Sequence, residues 1–284
     1  MKKRRRIKWK RVLILIICSI LIIGGIIIMI NKNLSNKNAS KANTKNGNEQ
    51  LVDSKKEGLT EDAEPTVKLE EAPNNLTEFT NLEDGEYLTK TGHTLTIKNK
   101  IAYVDGQLIV NKTYSIPESY KPTNTKNPPV GEKCSNCLEN EVLDAFNLMQ
   151  SDAKSLGLNI CIASGYRSYQ YQDRLYNNYS AVSGSEQADT YSARPGHSEH
   201  QTGLCFDLNS VNDSFATTDE GIWINNNAYL YGFIIRYPKG KDSITGYQYE
   251  SWHLRYVGVD LAKTLYNNGN WLTMEEYFGL SSSY

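Results

Sequence analysis

An uncharged apolar segment, residues 12–30, separates the start of this chain from any globular fold. Eight of the eleven residues before it are Lys or Arg, and none is acidic. A segment of this length can cross a bilayer as a helix, and its basic flank predicts a cytoplasmic tail at residues 1–11. A cleavable signal peptide is the alternative, but the residues after Ile30 offer no small-residue cleavage site. We therefore expect an uncleaved single-pass anchor with the rest of the chain outside the cell.

Residues 31–78 have the composition of a flexible linker. They are rich in Asn, Lys, Ser and Glu and contain no aromatic residue. Such a segment cannot bury enough apolar surface to offset the entropy lost on ordering, so it is predicted to be disordered. Without the eight basic residues at the start of the chain, 23 basic residues remain against 32 acidic ones. This net acidic exported portion argues against nucleic acid as a partner.

The remaining residues predict an α+β fold. Alternating short strands with turns between them indicate a small β-rich region at residues 79–107. From residue 108 onwards, helices and strands are mixed without a regular βαβ order, which favours a central antiparallel sheet flanked by helices. Helices are predicted at 139–156, 169–179, 219–230, 260–267 and 274–278, the second and third capped by Ser168 and Thr218. Strands are predicted at 158–163, 204–208, 233–237 and 250–256, with a polar loop over 180–203.

Four cysteines belong to this part of the chain. In an oxidising exterior, Cys134 and Cys137 could close a small disulfide loop just before the first helix. A zinc ribbon would need a second such pair, which the sequence lacks. Cys161 and Cys205 lie in apolar, strand-like runs, where core packing is the expected role and a mutual disulfide is the alternative.

Two short segments, 198–207 and 250–253, carry the residues of a hydrolytic metal site. The chain has four histidines, and three of them lie within or beside these segments. His200, Asp207, Glu250 and His253 supply three ligands and a base, which leaves one coordination position for water. Asp207 lies in an apolar strand, where a carboxylate needs a strong partner such as a metal ion.

The spacing of these residues does not by itself establish a site. His200 and Asp207 are seven residues apart and can meet only if the chain turns near Gly203. Glu250 and His253 can share a face only if their strand is bulged or begins between them. Taken singly, His200 is compatible with a polar surface loop, and His253 with a hydrogen-bonded core histidine.

Three neighbouring groups have open interpretations. Glu250 could be a second ligand or the ion-pair partner of Arg255. Arg167 follows a predicted strand and could either pair with Asp173 or stabilise negative charge on a substrate. His197 is better suited to orienting the loop than to closing the metal shell, because a fourth protein ligand would remove the open position.

Three motifs carry a family resemblance: SGYRS at 164–168, RPGHSEHQTG from 194 through to Asp207, and SWHLRY at 251–256. They resemble the VanY-type D-alanyl-D-alanine carboxypeptidases, which are zinc peptidases of bacterial cell-wall metabolism. The resemblance covers roughly residues 108–278 and implies an α+β fold with a central antiparallel sheet. It also implies one zinc ion bound by His200, Asp207 and His253.

The same resemblance assigns roles to the other site residues. Glu250 becomes the general base, and Arg167 steadies the scissile carbonyl and its oxyanion. The substrate contacts that it implies are Ser198, Gln172 and Tyr237. One departure is Cys205, because the related pattern usually has a small residue such as Ala at this position.

The expected function is hydrolysis of the C-terminal D-alanine of peptidoglycan stem peptides by a zinc-activated water. The enzyme would act outside the bacterial cell membrane, with residues 108–284 as its catalytic domain. Within the enzyme class, the alternative is an L,D-carboxypeptidase acting on tetrapeptide stems. Outside it, the alternative is a non-catalytic cell-wall-binding module, although such a module gains nothing from a general base.

Overall fold

The computed structural model describes Glu70–Glu71 and residues 82–284. These residues belong to one compact unit, Pro65–Tyr284. The predicted tail (1–11), the predicted anchor (12–30) and, apart from Glu70–Glu71, the predicted linker (31–78) lie outside the described residues. None of the helices in the described ranges combines the length and apolar character needed to cross a membrane.

The described residues form three sheets. Their strands are β1 (Glu70–Glu71), β2 (Gly85–Leu88), β3 (Thr94–Lys98), β4 (Ile101–Val104), β5 (Gln107–Ile109), β6 (Lys133–Cys134), β7 (Ile162–Ser164), β8 (Tyr166–Arg167), β9 (Cys205–Leu208), β10 (Phe233–Tyr237) and β11 (Glu250–Tyr256). The central sheet is antiparallel with the order β10-β11-β9-β7. A second sheet has the order β1-β2-β3-β4-β5, in which β1 and β2 are parallel, and β6 and β8 form a two-stranded ribbon.

Helices lie between and after these strands. They are α1 (Asn140–Ser155), α2 (Tyr169–Ser183), α3 (Ser185–Asp189), α4 (Asp219–Asn227), α5 (Asp242–Thr245), α6 (Val259–Tyr266) and α7 (Met274–Phe278). Both predicted N-caps are present: Ser168 accepts a hydrogen bond from the amide of Tyr171, and Thr218 accepts one from Gly221. The predicted combination of helices with antiparallel sheets is therefore confirmed.

Two element predictions are wrong in part. The strand predicted at 158–163 begins only at Ile162, because the amide of Cys161 donates instead to the side chain of Asn209. The loop predicted at 180–203 contains the end of α2, all of α3 and a 3-10 turn at Glu199–Thr202. These helical turns are too short for a hydrophobic period to reveal them in the sequence.

The central sheet separates an apolar core from a polar face. Phe206 and Leu208 of β9 point into the main hydrophobic cluster, where Phe206 contacts Phe146 of α1 edge-on at 5.2 Å between ring centroids. Alternate residues of a strand point to opposite sides, so Cys205 and Asp207 lie on the other face. Asp207 is directly opposite His253 on β11. This polar face of the sheet carries the candidate site.

Candidate active site

A turn at Gly203 brings His200 and Asp207 together. His200 lies on the 3-10 turn Glu199–Thr202, which ends at Gly203 with a φ of 70°. A Cβ at Gly203 would lie 2.6 Å from the side chain of Pro122, so both conformation and space favour glycine here. Nε2 of His200 lies 3.4 Å from Oδ2 of Asp207. The turn that the sequence requires near Gly203 is therefore present.

A bulge in β11 brings Glu250 and His253 to the same face. Tyr237 of β10 pairs with Glu250, whereas Ile235 pairs with Leu254, so β11 contains two extra residues in this interval. Oε2 of Glu250 consequently lies 3.6 Å from Nδ1 of His253. The same nitrogen is 3.2 Å from Oδ1 of Asp207. The spacing required a bulged strand for Glu250 and His253 to share a face, and that bulge is present.

The donor atoms of this cluster fit a metal ion. His200, Asp207 and His253 are each no more than 4% exposed. Nε2 of His200 and Oδ1 of Asp207 are buried and lack a hydrogen-bond partner among the described residues. Leaving buried polar atoms unsatisfied is costly, and a cation bound between them removes that cost. Imidazole nitrogens with one carboxylate are a donor set that suits zinc.

A polar contact on the far side of each imidazole indicates which nitrogen faces the cluster. Nδ1 of His200 lies 2.6 Å from the carbonyl oxygen of Gly165 and donates to it, which leaves Nε2 as the ligand. Nε2 of His253 lies 3.4 Å from Oε2 of Glu199, which leaves Nδ1 facing Asp207. Such partners fix the tautomer and orientation of metal-binding histidines.

Glu199 is a site residue that the sequence analysis missed. Its carboxylate accepts hydrogen bonds at Oε1 from Arg236 at 2.8 Å and from Arg255 at 3.0 Å. Burial alone would raise the pKa of Glu199, but the two guanidinium charges hold it well below its usual range. Arg255 therefore pairs with Glu199, and the alternative pairing with Glu250 is wrong. The sequence contains one signal for such a residue. Each of the apolar strands β10 and β11 carries an arginine, and a buried arginine requires a carboxylate partner.

Glu250 has the environment of a proton acceptor. Burial raises its pKa to about 7, and the charge of Asp207 adds to the increase against the opposing effect of His253. A general base is most effective when its pKa lies near the working pH. Its side chain lines the same cavity as the three candidate ligands.

Arg167 is held beside the ligands by the ribbon of β6 and β8. Lys133 of β6 pairs directly with Arg167. One terminal nitrogen of Arg167 lies 3.5 Å from Oδ2 of Asp207, and the other donates to Oε1 of Gln172 at 3.2 Å. The described residues show this pairing with Asp207 and none with Asp173, so that alternative is wrong. The guanidinium also faces the cavity.

One cavity of about 450 Å³ contains all the candidate residues. Its lining includes the candidate ligands, Glu250, Arg167 and the three residues implied to contact substrate, namely Ser198, Gln172 and Tyr237. Gln172 is positioned by a bond from its amide nitrogen to the carbonyl oxygen of Ala193 at 2.7 Å. The cavity thus combines metal donors, a base and a fixed cation.

The remaining histidine and cysteine predictions have mixed outcomes. Nδ1 of His197 lies 2.8 Å from the carbonyl oxygen of Asn111, which ties its loop to the preceding segment. Cys134 and Cys137 form a disulfide, which the sequence had left open. Cys161 and Cys205 are free thiols, so the alternative disulfide between them is not formed. Core packing is wrong for Cys161, which is exposed, and Cys205 is buried on the polar face of the sheet.

Sequence comparison connects this cavity with known peptidases. Residues 135–259 match the VanY family, described as D-alanyl-D-alanine carboxypeptidase. The putative carboxypeptidase YodJ of Bacillus subtilis is 44% identical over 60% of this chain and 66% of its own length. A D-alanyl-D-alanine carboxypeptidase of Enterococcus faecalis is 33% identical over 60% of this chain and 64% of its own length. The chain thus spans slightly less than two thirds of these relatives.

Structural comparison agrees with the sequence matches. The LdcB LD-carboxypeptidase is 38% identical, with a TM-score of 0.55, over 66% of this chain and 96% of that one. DacB from Streptococcus pneumoniae D39 is 35% identical, with a TM-score of 0.55, over 66% of this chain and 97% of that one. VanYB, solved in complex with D-alanine-D-alanine, is 33% identical, with a TM-score of 0.50, over 60% of this chain and 96% of that one. The chain belongs to the VanY family of D-alanyl-D-alanine carboxypeptidases.

Proposed function

We propose that this protein is a zinc-dependent D,D-carboxypeptidase that removes the C-terminal D-alanine of peptidoglycan stem peptides. The observation that carries the proposal is the convergence of His200, Asp207 and His253 with Glu250 in one cavity. Two of these donors have buried atoms without a hydrogen-bond partner in the described part of the chain. A structural role would leave those atoms unsatisfied, whereas a metal peptidase uses them.

The chain's own residues account for the proton transfers. When bound, zinc lowers the pKa of a water molecule and polarises the scissile carbonyl. Glu250 accepts the proton of the attacking water and then delivers it to the amine of the leaving D-alanine. Arg167 donates to the negative charge that develops on the carbonyl oxygen. No covalent bond to the protein forms, so β-lactams are not expected to acylate this enzyme.

Polar side chains on the cavity wall would orient the substrate. Ser198, Gln172 and Tyr237 lie on the wall that carries the base and the metal donors. We assign them to the terminal carboxylate and the adjacent peptide group of the stem. Holding both ends of the scissile bond in place lowers the entropic part of the barrier.

The proposed location follows from the N-terminal sequence. Residues 12–30 would anchor the protein in the bacterial cell membrane as a single pass, and residues 31–78 would tether the catalytic domain outside the cell. Peptidoglycan is the polymer within reach of such a tether. The net acidic composition of the exported part gives no support for a nucleic-acid partner.

An L,D-carboxypeptidase acting on tetrapeptide stems is the second candidate. It is favoured by the likeness to the LdcB LD-carboxypeptidase, at 38% identity and a TM-score of 0.55. Both activities use the same donors and base, and they differ in the configuration of the residue before the scissile bond. The wall-binding alternative has no use for Glu250 and predicts no amine release.

The test is product analysis on defined stem peptides. Residues 79–284, loaded with zinc, are incubated with a pentapeptide or a tetrapeptide, and the products are identified by mass spectrometry. The proposal predicts D-alanine release from the pentapeptide, loss of that activity with chelator, and an inactive Glu250→Ala variant that still binds metal. Shortening of the tetrapeptide alone would favour the second candidate. Full activity of Glu250→Ala would refute the assigned mechanism.

A further inference from the structure

Tyr284 bonds to two separate segments that line the candidate cavity. Its Oη accepts a hydrogen bond from the amide of Arg194 at 2.8 Å and lies 3.2 Å from Oη of Tyr247. Arg194 lies between Ala193 and Ser198, and both of these line the cavity. Tyr247 lines it too. One hydroxyl group therefore joins two parts of the cavity wall that are far apart in the sequence.

Three side chains hold the ring of Tyr284. The guanidinium of Arg194 lies over the ring at 4.0 Å from its centroid, and Nζ of Lys112 lies at 5.1 Å. His197 contacts the ring edge-on at 5.2 Å between centroids. The face of an aromatic ring attracts such cations. The guanidinium is itself fixed, because two of its nitrogens donate to the two carboxylate oxygens of Asp189.

Hydrogen bonds fasten the residues before Tyr284 to the rest of the domain. Oγ of Ser282 donates to the carbonyl oxygen of Thr245 at 2.6 Å. The amide of Ser283 donates to Oγ1 of Thr113, and that hydroxyl donates to the carbonyl oxygen of Ser283, both at 3.1 Å. Tyr284 keeps 38% of its surface exposed and lies outside the main hydrophobic cluster of the described residues. Its contacts therefore set positions and contribute little to the core.

The contacts of Tyr284 lead to the substrate side of the site. The ring centroid of Tyr247 is 4.9 Å from that of Tyr237, and His197 directly precedes Ser198 in the chain. Ser198 and Tyr237 are among the side chains assigned above to the substrate's terminal carboxylate and adjacent peptide group. Among the described residues, no hydrogen bond or ring contact joins Tyr284 to the general base or to the candidate metal ligands. Tyr284 thus bears on substrate placement and not on the metal.

We infer that Tyr284 is a positioning residue that sets the separation of the two wall segments, and with it the placement of Ser198 and Tyr237. The inference rests on the proposed function, because those two side chains are assigned to its substrate. Tyr284 lies outside residues 135–259, which match the VanY family. A wall already held in its bound arrangement lowers the ordering cost of binding. The terminal carboxylate keeps its charge throughout the reaction, so weaker positioning should raise KM and leave kcat nearly unchanged.

Steady-state kinetics on the full chain tests the inference, with zinc bound and with the stem peptide that the unaltered protein shortens. Tyr284→Phe removes the hydroxyl and keeps the ring, whereas Tyr284→Ala removes both. We expect KM to rise about threefold in Tyr284→Phe and about tenfold or more in Tyr284→Ala, the range of one lost hydrogen bond without and with lost packing. In both variants kcat should stay within about twofold of the unaltered value. The affinity for zinc, measured by chelator competition, should not change.

Hydrogen exchange gives a readout that does not depend on turnover. In Tyr284→Phe the amide of Arg194 loses its acceptor, so we expect faster exchange in the peptide fragment that contains it. Tyr231→Phe is the matched control, because it removes a tyrosine hydroxyl that bonds to Asp152 at 2.7 Å and Tyr231 is not among the residues that line the cavity. The control should keep both the KM of the unaltered protein and the exchange rate of that fragment.

The outcomes separate the inference from the proposed function. An unchanged KM in both Tyr284 variants would overturn the inference and leave the proposed peptidase intact. A parallel loss of kcat and zinc affinity would overturn it too, since it would show a general effect on the fold. If the unaltered protein shortens no stem peptide, the proposed function fails, and the assignment of Tyr284 to its substrate fails with it. If Tyr284→Ala does not fold, Tyr284→Phe decides the question, because it keeps the ring and its packing.

Discussion

Glu199 is a buried carboxylate that pairs with two arginines and also lies beside the candidate metal site. Its Oε1 accepts from Arg236 and Arg255, while its Oε2 lies 3.4 Å from Nε2 of His253. Arg236 also makes two hydrogen bonds to Glu275, so the four charges form one buried network. Charges removed from water persist in a fold only when their partners are complete. The network therefore places a carboxylate oxygen beside the imidazole that faces the candidate metal position.

Replacing Glu199 by Gln is expected to lower both the stability of the fold and the affinity for metal. Loss of the charge leaves two buried guanidinium groups undercompensated, which costs about 3 kcal/mol or more in the free energy of unfolding. Metal affinity should fall about 10- to 100-fold, because His253 loses the partner that orients it. Denaturant unfolding and competition with a chromophoric chelator measure the two effects.

Glu275→Gln is the matched control for this prediction. Glu275 is equally buried and pairs with Arg236, but it makes no contact with His253 in the described structure. We expect a comparable loss of stability with little change in metal affinity. Equal losses of affinity in both variants would show that Glu199 acts through general stability and not through the imidazole.

The raised pKa of Glu250 predicts the acidic side of the pH profile. The base must be ionised to accept a proton, and burial raises its pKa to about 7. Activity should therefore fall as the pH drops through the pKa of Glu250, and below it kcat/KM should approach a tenfold loss per pH unit. A bound cation lowers the pKa of nearby carboxyls. In the zinc-loaded enzyme we therefore expect the acidic loss of activity at a pH between about 7 and about 4.3, the ordinary pKa of a glutamate.

Kinetics across pH with Glu250→Gln and Glu186→Gln checks this assignment. Glu186 is an exposed glutamate of α3, and its replacement should leave the profile unchanged. Glu250→Gln should reduce kcat by several orders of magnitude at every pH. A residual activity in that variant with the same acidic limb would mean that another group titrates there.

At the scale of elements, local signals were predictable and long-range ones were not. The caps at Ser168 and Thr218 could be recognised because each bonds to an amide three residues away. The candidate metal ligands could be located from three motifs in a fixed order, and their binding of zinc stays a prediction. The partners of Glu199 lie 37 and 56 residues further along the chain, and no spacing rule connects them. The bulge in β11 likewise depends on how β10 pairs with it.

The ribbon of β6 and β8 depends on a glycine between β7 and β8. A Cβ at Gly165 would lie 2.3 Å from the carbonyl oxygen of Ser135. The carbonyl of Gly165 itself accepts the hydrogen bond from Nδ1 of His200. One residue therefore sets both the approach of β6, which pairs with Arg167, and the orientation of a candidate ligand.

Gly165→Ala is expected to disturb both sides of the site. The clash is with backbone, so the strands must separate, which costs about 1–3 kcal/mol in the free energy of unfolding. Displacement of Arg167 and His200 should lower kcat/KM about 100-fold, as is typical of misplacement near 1 Å. Gly85→Ala is the control, because its Cβ meets nothing closer than 3.5 Å. Full activity of Gly165→Ala would show that the ribbon does not position these residues.

At the scale of the whole molecule, the N-terminal sheet and the catalytic region share one core. Leu95 and Val104 belong to the same hydrophobic cluster as Phe206 and Phe278. Hydrogen bonds also join the two regions. Thr91 donates to the carbonyl oxygen of Tyr277, and Gln107 donates to the carbonyl oxygen of Val257. A shared core couples the unfolding of its parts. The sheet thus supports the region that carries the site.

Leu95→Ala tests this coupling. Leu95 is fully buried in β3, and its truncation should cost about 2–5 kcal/mol in the free energy of unfolding. Because the core is shared, we expect circular dichroism, tryptophan fluorescence and peptidase activity to be lost in one transition at a lower midpoint. Val130→Ala is the control, since Val130 is 93% exposed and its truncation should leave the midpoint unchanged. If peptidase activity persists after the circular dichroism signal of the strands is lost, the sheet unfolds independently of the catalytic region.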